Sequence, residues 1–209
     1  KGFADNPVVA LDAPRPDFNG ALIQFLIGLV QTTAAPDDED DWEELLASPP
    51  SPESLYERFM SVHDAFNLGG DRPRFMQDFE EISAKYSSIE GLLIESPGDR
   101  TKELNKDHFI KRNTVSGMCP CCCATALFCF QTNSPSGGQG NMTSLRGGGP
   151  LSTLVLGDSN YDSLWQLLFL NVLEKSKFEN ICGKPALTEK KYLFPWMGET
   201  RKGRRNNRG

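Results

Sequence analysis

Apolar residues return at helical spacing in three separate stretches of the chain. Between residues 17 and 30, Ala21, Leu22, Phe25, Leu26, Leu29 and Val30 follow steps of three and four. Ile23 and Ile27 fill the opposite side, so the pattern predicts a helix that is apolar nearly all round, and therefore central and buried. Asp17 stands where its N-cap belongs. A second stripe, Leu55, Phe59, Val62 and Phe66, comes after Pro49-Pro50-Ser51-Pro52. Ser51 suits the cap, Pro52 the first helical position, and Gly69-Gly70 the close. A third stripe runs from Leu164 to Leu170 with Ser163 as its cap, and Ala124 to Gln131 adds a short helix-like segment.

Other stretches read as extended. Val8 to Leu11, set among Pro7, Pro14 and Pro16, suits an edge strand. Ile89 to Ile94, stopped by the turn signal Ser96-Pro97-Gly98-Asp99, also suits a strand, and Leu151 to Leu156, with Thr153 and Val155, is strand-like. Long helix patterns interrupted by a few short strands predict an α+β fold: mixed, mostly helical around a small sheet, with a cysteine-rich knuckle of the zinc type. Asp71-Arg72-Pro73-Arg74 reads as a loop leading to a buried Phe75-Met76, residues 100 to 112 as a surface loop, and Tyr192 to Met197 as a short aromatic close. Residues 1–200 are expected to form one domain, and the start at Lys1 rather than Met together with the basic close reads as a fragment. Residues 201–209 form a basic tail or a joined fragment.

Charge singles out one region. The chain carries 28 acidic and 22 basic residues, a net charge of −6, yet residues 108–157 contain no Asp or Glu. At the chain's average density such a window holds about seven, so an acidic protein has kept one neutral-to-basic surface where a polyanion fits. Lys111, Arg112 and Arg146 lie within it. The acidic run Asp37 to Glu44 is the opposite case: it lacks calcium-loop spacing and reads as a solvated loop or helix start. The longest apolar stretch, Ala21 to Val30, is broken by Gln24 and falls far short of the ~20 residues a membrane span needs, so no membrane partner is expected.

The same window holds two kinds of chemistry. Five of the six cysteines fall between residues 119 and 129, which is unlike a secreted disulfide framework and points to a reducing cytoplasm. Cys119 and Cys122 have the Cys-x-x-Cys spacing that supplies two zinc ligands from one turn. Burial as small hydrophobes is the competing reading, and a catalytic thiol is a third that lacks a recognisable base, since His63 and His108 carry no signature. The glycine stretches Pro135 to Gly140 and Arg146 to Pro150 fit neither the Walker phosphate loop nor the dinucleotide fingerprint. Backbone stripped of side chains can still approach a partner closely, and the narrow minor groove of DNA favours such a probe. As plain tight turns, the same glycines need no ligand.

Several separated motifs, in order, carry a family resemblance. They are Cys119 to Leu127 (Cys-Pro-Cys-Cys-Cys-Ala-Thr-Ala-Leu), Gln131 to Gly140, Ser144 to Leu151, Arg15 to Leu29, Pro73 to Asp78, Leu164 to Gln166 and Leu193 to Gly198. Together they resemble the CasA family, the large subunit of the type I-E CRISPR surveillance complex Cascade. The resemblance implies a noncatalytic subunit that docks with its sibling subunits and crRNA, checks the protospacer-adjacent motif (PAM) of double-stranded target DNA, aids duplex opening and recruits a helicase–nuclease. It places the DNA contact on the glycine loop Ser136, Gly137, Gly138, Gln139 and Gly140, and on a neighbouring loop around Phe109, Lys111, Arg112 and Asn113. Lys111 and Arg112 would contact phosphate; Arg146 either grips a phosphate or braces the loop. It also implies that residues 1–200 are an N-terminal domain, incomplete at both ends, and that Cys119 and Cys122 are half of a structural zinc site whose other ligands lie beyond residue 209. A zinc or thiol enzyme built on the cysteines and a purely structural scaffold stand as the alternatives.

Overall fold

In a computed structural model of the chain, the structure describes residues 7–81, 83, 86–134, 145, 152–158, 163–182 and 189–199. Eight helices are found among them: α1 Pro16–Thr33, α2 Glu39–Ala47, α3 Pro52–Met60, α4 Asp99–Glu103, α5 Pro120–Asn133, α6 Leu164–Phe169, α7 Lys175–Cys182 and α8 Lys190–Leu193, with 3-10 turns at His63–Phe66, Ile89–Leu92 and Pro195–Met197. The predicted central helix is α1, which packs against α5, α6 and α3. Its cap is Arg15 rather than Asp17, because Pro16 takes the first helical position; Asp17 moves into the first turn and pairs with Arg15 at 2.9 Å. Arg15 also reaches Glu95 at 2.7 Å, which ties the start of α1 to the segment after the turn Ile89–Leu92.

Three clusters make up the core. Phe18 and Ala21 of α1 meet Ala126 and Cys129 of α5 together with Leu93. The two alanines are fully buried, and their small side chains let α1 and α5 approach. At the other end of α1, Val30 and Ala34 pack with Phe169 and Val172, flanked by Trp42 and Trp165. Both indoles satisfy their N–H groups on backbone carbonyls, Trp42 on Val172 at 2.9 Å and Trp165 on Leu45 at 2.8 Å. The acidic run forms α2, with Asp38 as its cap, and its acids point outward while Trp42, Leu45 and Leu46 face the core. A third cluster joins Val62, Ala65 and Phe194, and Phe25, Phe66, Phe75, Phe194 and Trp196 contact one another edge-on or tilted at 5.2–6.3 Å between ring centroids.

The predicted sheet is absent: among the described residues there is no strand, so the α+β expectation is corrected to an all-helical one. Each strand candidate has its backbone groups taken by a partner other than a strand. Ile89–Leu92 turns as a 3-10 helix because Gly91 and Leu93 donate back to Ser88 and Glu90 at 2.9 and 3.0 Å. Val8 stays extended, but its carbonyl is taken by the amide of Leu164 at 2.7 Å, at the start of α6. In the extended stretch 152–158, both backbone groups of Val155 are satisfied by the side-chain amide of Asn171, at 2.7 and 3.0 Å, which does the work of a neighbouring strand. The two extended pieces therefore line an apolar groove of about 160 Å³ with Ile23, Leu164 and Leu167 and do not pair.

Other expectations fare better. Ser51 caps α3 by accepting from Ser54 at 3.2 Å, although α3 ends at Met60 and the turn His63–Phe66 carries the rest of the stripe. Ser163 caps α6 in a full capping box with Gln166. Phe75 and Met76 are buried as predicted. Apart from these outcomes, no helix among the described residues is long and apolar enough to cross a membrane, which is a statement about helices alone.

Candidate nucleic-acid interface

The described part of the predicted interface is the loop between α4 and α5, residues 104–119. Two asparagines with left-handed backbone bracket its outer part, Asn105 at φ 49° and Asn113 at φ 58°, a conformation asparagine tolerates better than most residues. At the first neck the guanidinium of Arg112 clasps both carboxylate oxygens of Asp107 and donates to the carbonyl of Lys102 at 2.9 Å and the side chain of Asn105 at 3.3 Å. The Asp107 side chain is only 6% exposed, and its hydrogen bonds from Arg112 hold its pKa down to about 2. The same contact raises the guanidinium of Arg112. At the second neck the carboxylate of Glu90 accepts from Asn113 and Thr114, and these bonds, the Thr114 amide foremost, keep it ionised below its ordinary range.

Between the necks the loop turns outward. Phe109 is 101% exposed, with no neighbour covering its ring. Lys111 and Lys106 make no ion pair among the described residues. Below the loop, Val115 and Met118 pack into the cluster shared by α1 and α5, so the tip stands on a fixed base. The arrangement presents one bare aromatic face beside free cations, which suits stacking and phosphate contact.

The cysteine knuckle comes directly after the loop. Cys119 is the N-cap of α5, its sulfur accepting from the amide of Cys122 at 3.3 Å. That amide, at a helix N-terminus, lowers the pKa of the Cys119 thiol, whereas the hydrogen bond between the two sulfurs raises that of Cys122. Cys119 is exposed and Cys122 half-buried; of the two, Cys119 is the one whose surroundings favour the thiolate, and the Cys-x-x-Cys spacing across one helical turn suits two ligands of a tetrahedral zinc site. Among the described residues no third His, Cys, Asp or Glu joins them. Cys129 lies further along α5, buried against α1, where burial pushes its thiol up.

Ser136, Gly137, Gly138, Gln139, Gly140 and Arg146 lie outside the described residues. Their points of attachment do not: Ser134 closes α5, and the amide of Leu145 returns to the carbonyl of Gln131 at 3.1 Å. The glycine stretch thus leaves from the C-terminal end of α5, and the Phe109 loop enters at its N-terminal end. With 14 residues in the helix, the two attachments stand about 20 Å apart.

Sequence reasoning missed Asp107, Glu90 and Thr114. Asp107 sits one position before the acid-free window, and its short separation from a basic partner, with asparagines on either side, is a signal for a closed loop. Glu90 comes from 23 residues away, and no local pattern announces it.

Fold and site together define a helical scaffold that holds out a pinned, aromatic-tipped loop beside a thiol pair. The comparison with known families supplies the identification. The model for CRISPR-associated protein Cse1 matches residues 2–209, and the chain belongs to this family, the large subunits of the type I-E complex Cascade in CRISPR defence. Membership places it in an assembly with other Cascade subunits. Among curated proteins none matches it.

Proposed function

We propose that the chain serves Cascade as its reader of double-stranded DNA, recognising the PAM, helping to open the duplex for the crRNA guide, and offering the surface where the helicase–nuclease is recruited, in the cytoplasm and without chemistry of its own. The observation that supports this reading is Phe109, an aromatic ring held wholly in solvent on a loop pinned at both necks, beside the unpaired Lys111. Guide pairing supplies sequence specificity beyond the PAM. Phe109 and Asn113 contact the duplex edge, Lys111 a phosphate, and Arg112 acts first as the staple of the loop. Ser136 to Gly140 approach as bare backbone and Arg146 grips or braces them. Cys119 and Cys122 hold one side of a structural zinc, which would lock the loop base to α5; its remaining ligands come from outside the described residues.

A gel-shift comparison with reconstituted complex tests the reading. Wild-type complex binds a PAM-bearing duplex in preference to one without a PAM, and Phe109→Ala or Gly138→Asp narrows that preference while subunit assembly is unchanged. Equal binding to both duplexes by the wild type, or full discrimination by both variants, overturns it.

A further inference from the structure

One neck of the loop is closed by a side chain from a different part of the fold. Glu90 sits in the turn Ile89–Leu92, which packs against α5. Its Oε2 accepts from the amide of Asn113 at 2.9 Å, and its Oε1 accepts from both the amide and the hydroxyl of Thr114, each at 2.9 Å. Two consecutive amides on one carboxylate fix the peptide plane between them, and the first belongs to a residue at φ 58°. A left-handed asparagine in a free loop relaxes readily to the more populated regions, so the carboxylate is what holds this one. Arg112 closes the opposite neck on Asp107 and Lys102, and the tip between them carries an aromatic ring with no cover of its own.

A loop that needed only to fold would bury that ring. Holding it in water on a fixed backbone lowers the ordering cost when a partner arrives. We propose that Glu90 is a positioning residue for duplex recognition, acting through the amides of Asn113 and Thr114 to preorganise the segment Phe109–Asn113. The proposal rests on the reading of that loop given under Proposed function.

The test uses reconstituted Cascade carrying Glu90→Ala, Glu90→Gln, Thr114→Ser or Phe109→Ala, with binding measured on PAM-bearing and PAM-free duplexes and amide hydrogen exchange followed at Asn113 and Thr114. Glu90→Ala speeds exchange at both amides and weakens the PAM-bearing duplex on the order of tenfold, the cost of re-ordering about one residue on binding, while the PAM-free duplex is unaffected. Glu90→Gln, which keeps the length and one acceptor oxygen, falls between; it carries the test if the alanine variant fails to assemble. Thr114→Ser, which retains the hydroxyl, behaves as wild type. Unchanged exchange after Glu90→Ala overturns the proposal, as does an equal loss on both duplexes, the mark of a general folding defect. Faster exchange with intact PAM binding overturns it too, provided Phe109→Ala is impaired. If Phe109→Ala also binds normally, the reading of the loop itself falls.

Discussion

Replacing Lys111 and replacing Arg112 with alanine remove adjacent cations from one loop, yet the geometry assigns them opposite signatures. Lys111 is exposed and makes no ion pair among the described residues, so it is available to displace a counterion from a phosphate. Arg112 is engaged by Asp107, by the Lys102 carbonyl and by Asn105. Each phosphate contact contributes about 0.9 to the slope of log affinity against log salt, so over a fourfold rise in salt one contact is worth roughly three- to fourfold in affinity. Lys111→Ala should therefore flatten the slope by about 0.9. Arg112→Ala should lower affinity at every salt concentration by loosening the loop, with the slope unchanged. Asp107→Ala releases the guanidinium and should steepen the slope by up to about the same 0.9. The assay is equilibrium binding of the assembled complex to a PAM-bearing duplex across a salt series. A flattening by Arg112→Ala equal to that of Lys111→Ala refutes the reasoning, because the arginine would then have left its partners for the DNA.

Two further outcomes are expected of the same structure. Phe169 is fully buried and stacked on Trp165 at 5.1 Å, so Phe169→Ala should cost about 3–5 kcal/mol, read as a shift in the urea midpoint with an unchanged slope; a loss under about 1 kcal/mol contradicts the packing described for that end of α1. Metal analysis of the intact protein should find zinc that is lost in Cys119→Ser and Cys122→Ser and kept in Cys121→Ser, and a zinc-free protein that folds normally removes the metal from the knuckle.

The helices were legible because their signals are local. Ser51-Pro52 and Ser163 with Gln166 cap α3 and α6 by contacts within one turn, and the apolar run of α1 is continuous enough to demand a central place. Even there the cap moved by two residues, since Pro16 at the first helical position outranks the side-chain preference of Asp17. The strands were misread because β-branched composition records only that a segment can be extended. Whether it joins a sheet depends on what meets its backbone. Val155 meets the side chain of Asn171 and Val8 meets the first amide of α6, partners that a window of sequence around either residue does not contain.

The site shows the same division more sharply. A window without acidic residues directed attention to Lys111 and Arg112, the family resemblance added Phe109, and the structure does leave the phenyl ring and the lysine in solvent. The window does not stay free of carboxylates once the chain folds. Asp107 turns back onto Arg112, and Glu90 reaches in from a separate turn, so two anions stand at the base of a surface whose sequence is neutral to basic. Both are already satisfied by hydrogen bonds that hold them ionised, and neither offers a free charge at the tip to repel a phosphate. Acids excluded from the tip and engaged at the necks do two things at once: they leave the tip without a free negative charge and they stiffen the loop proposed to meet a polyanion. Charge counted along the chain captures the first effect, and only the fold, by bringing residue 90 to residue 113, supplies the second.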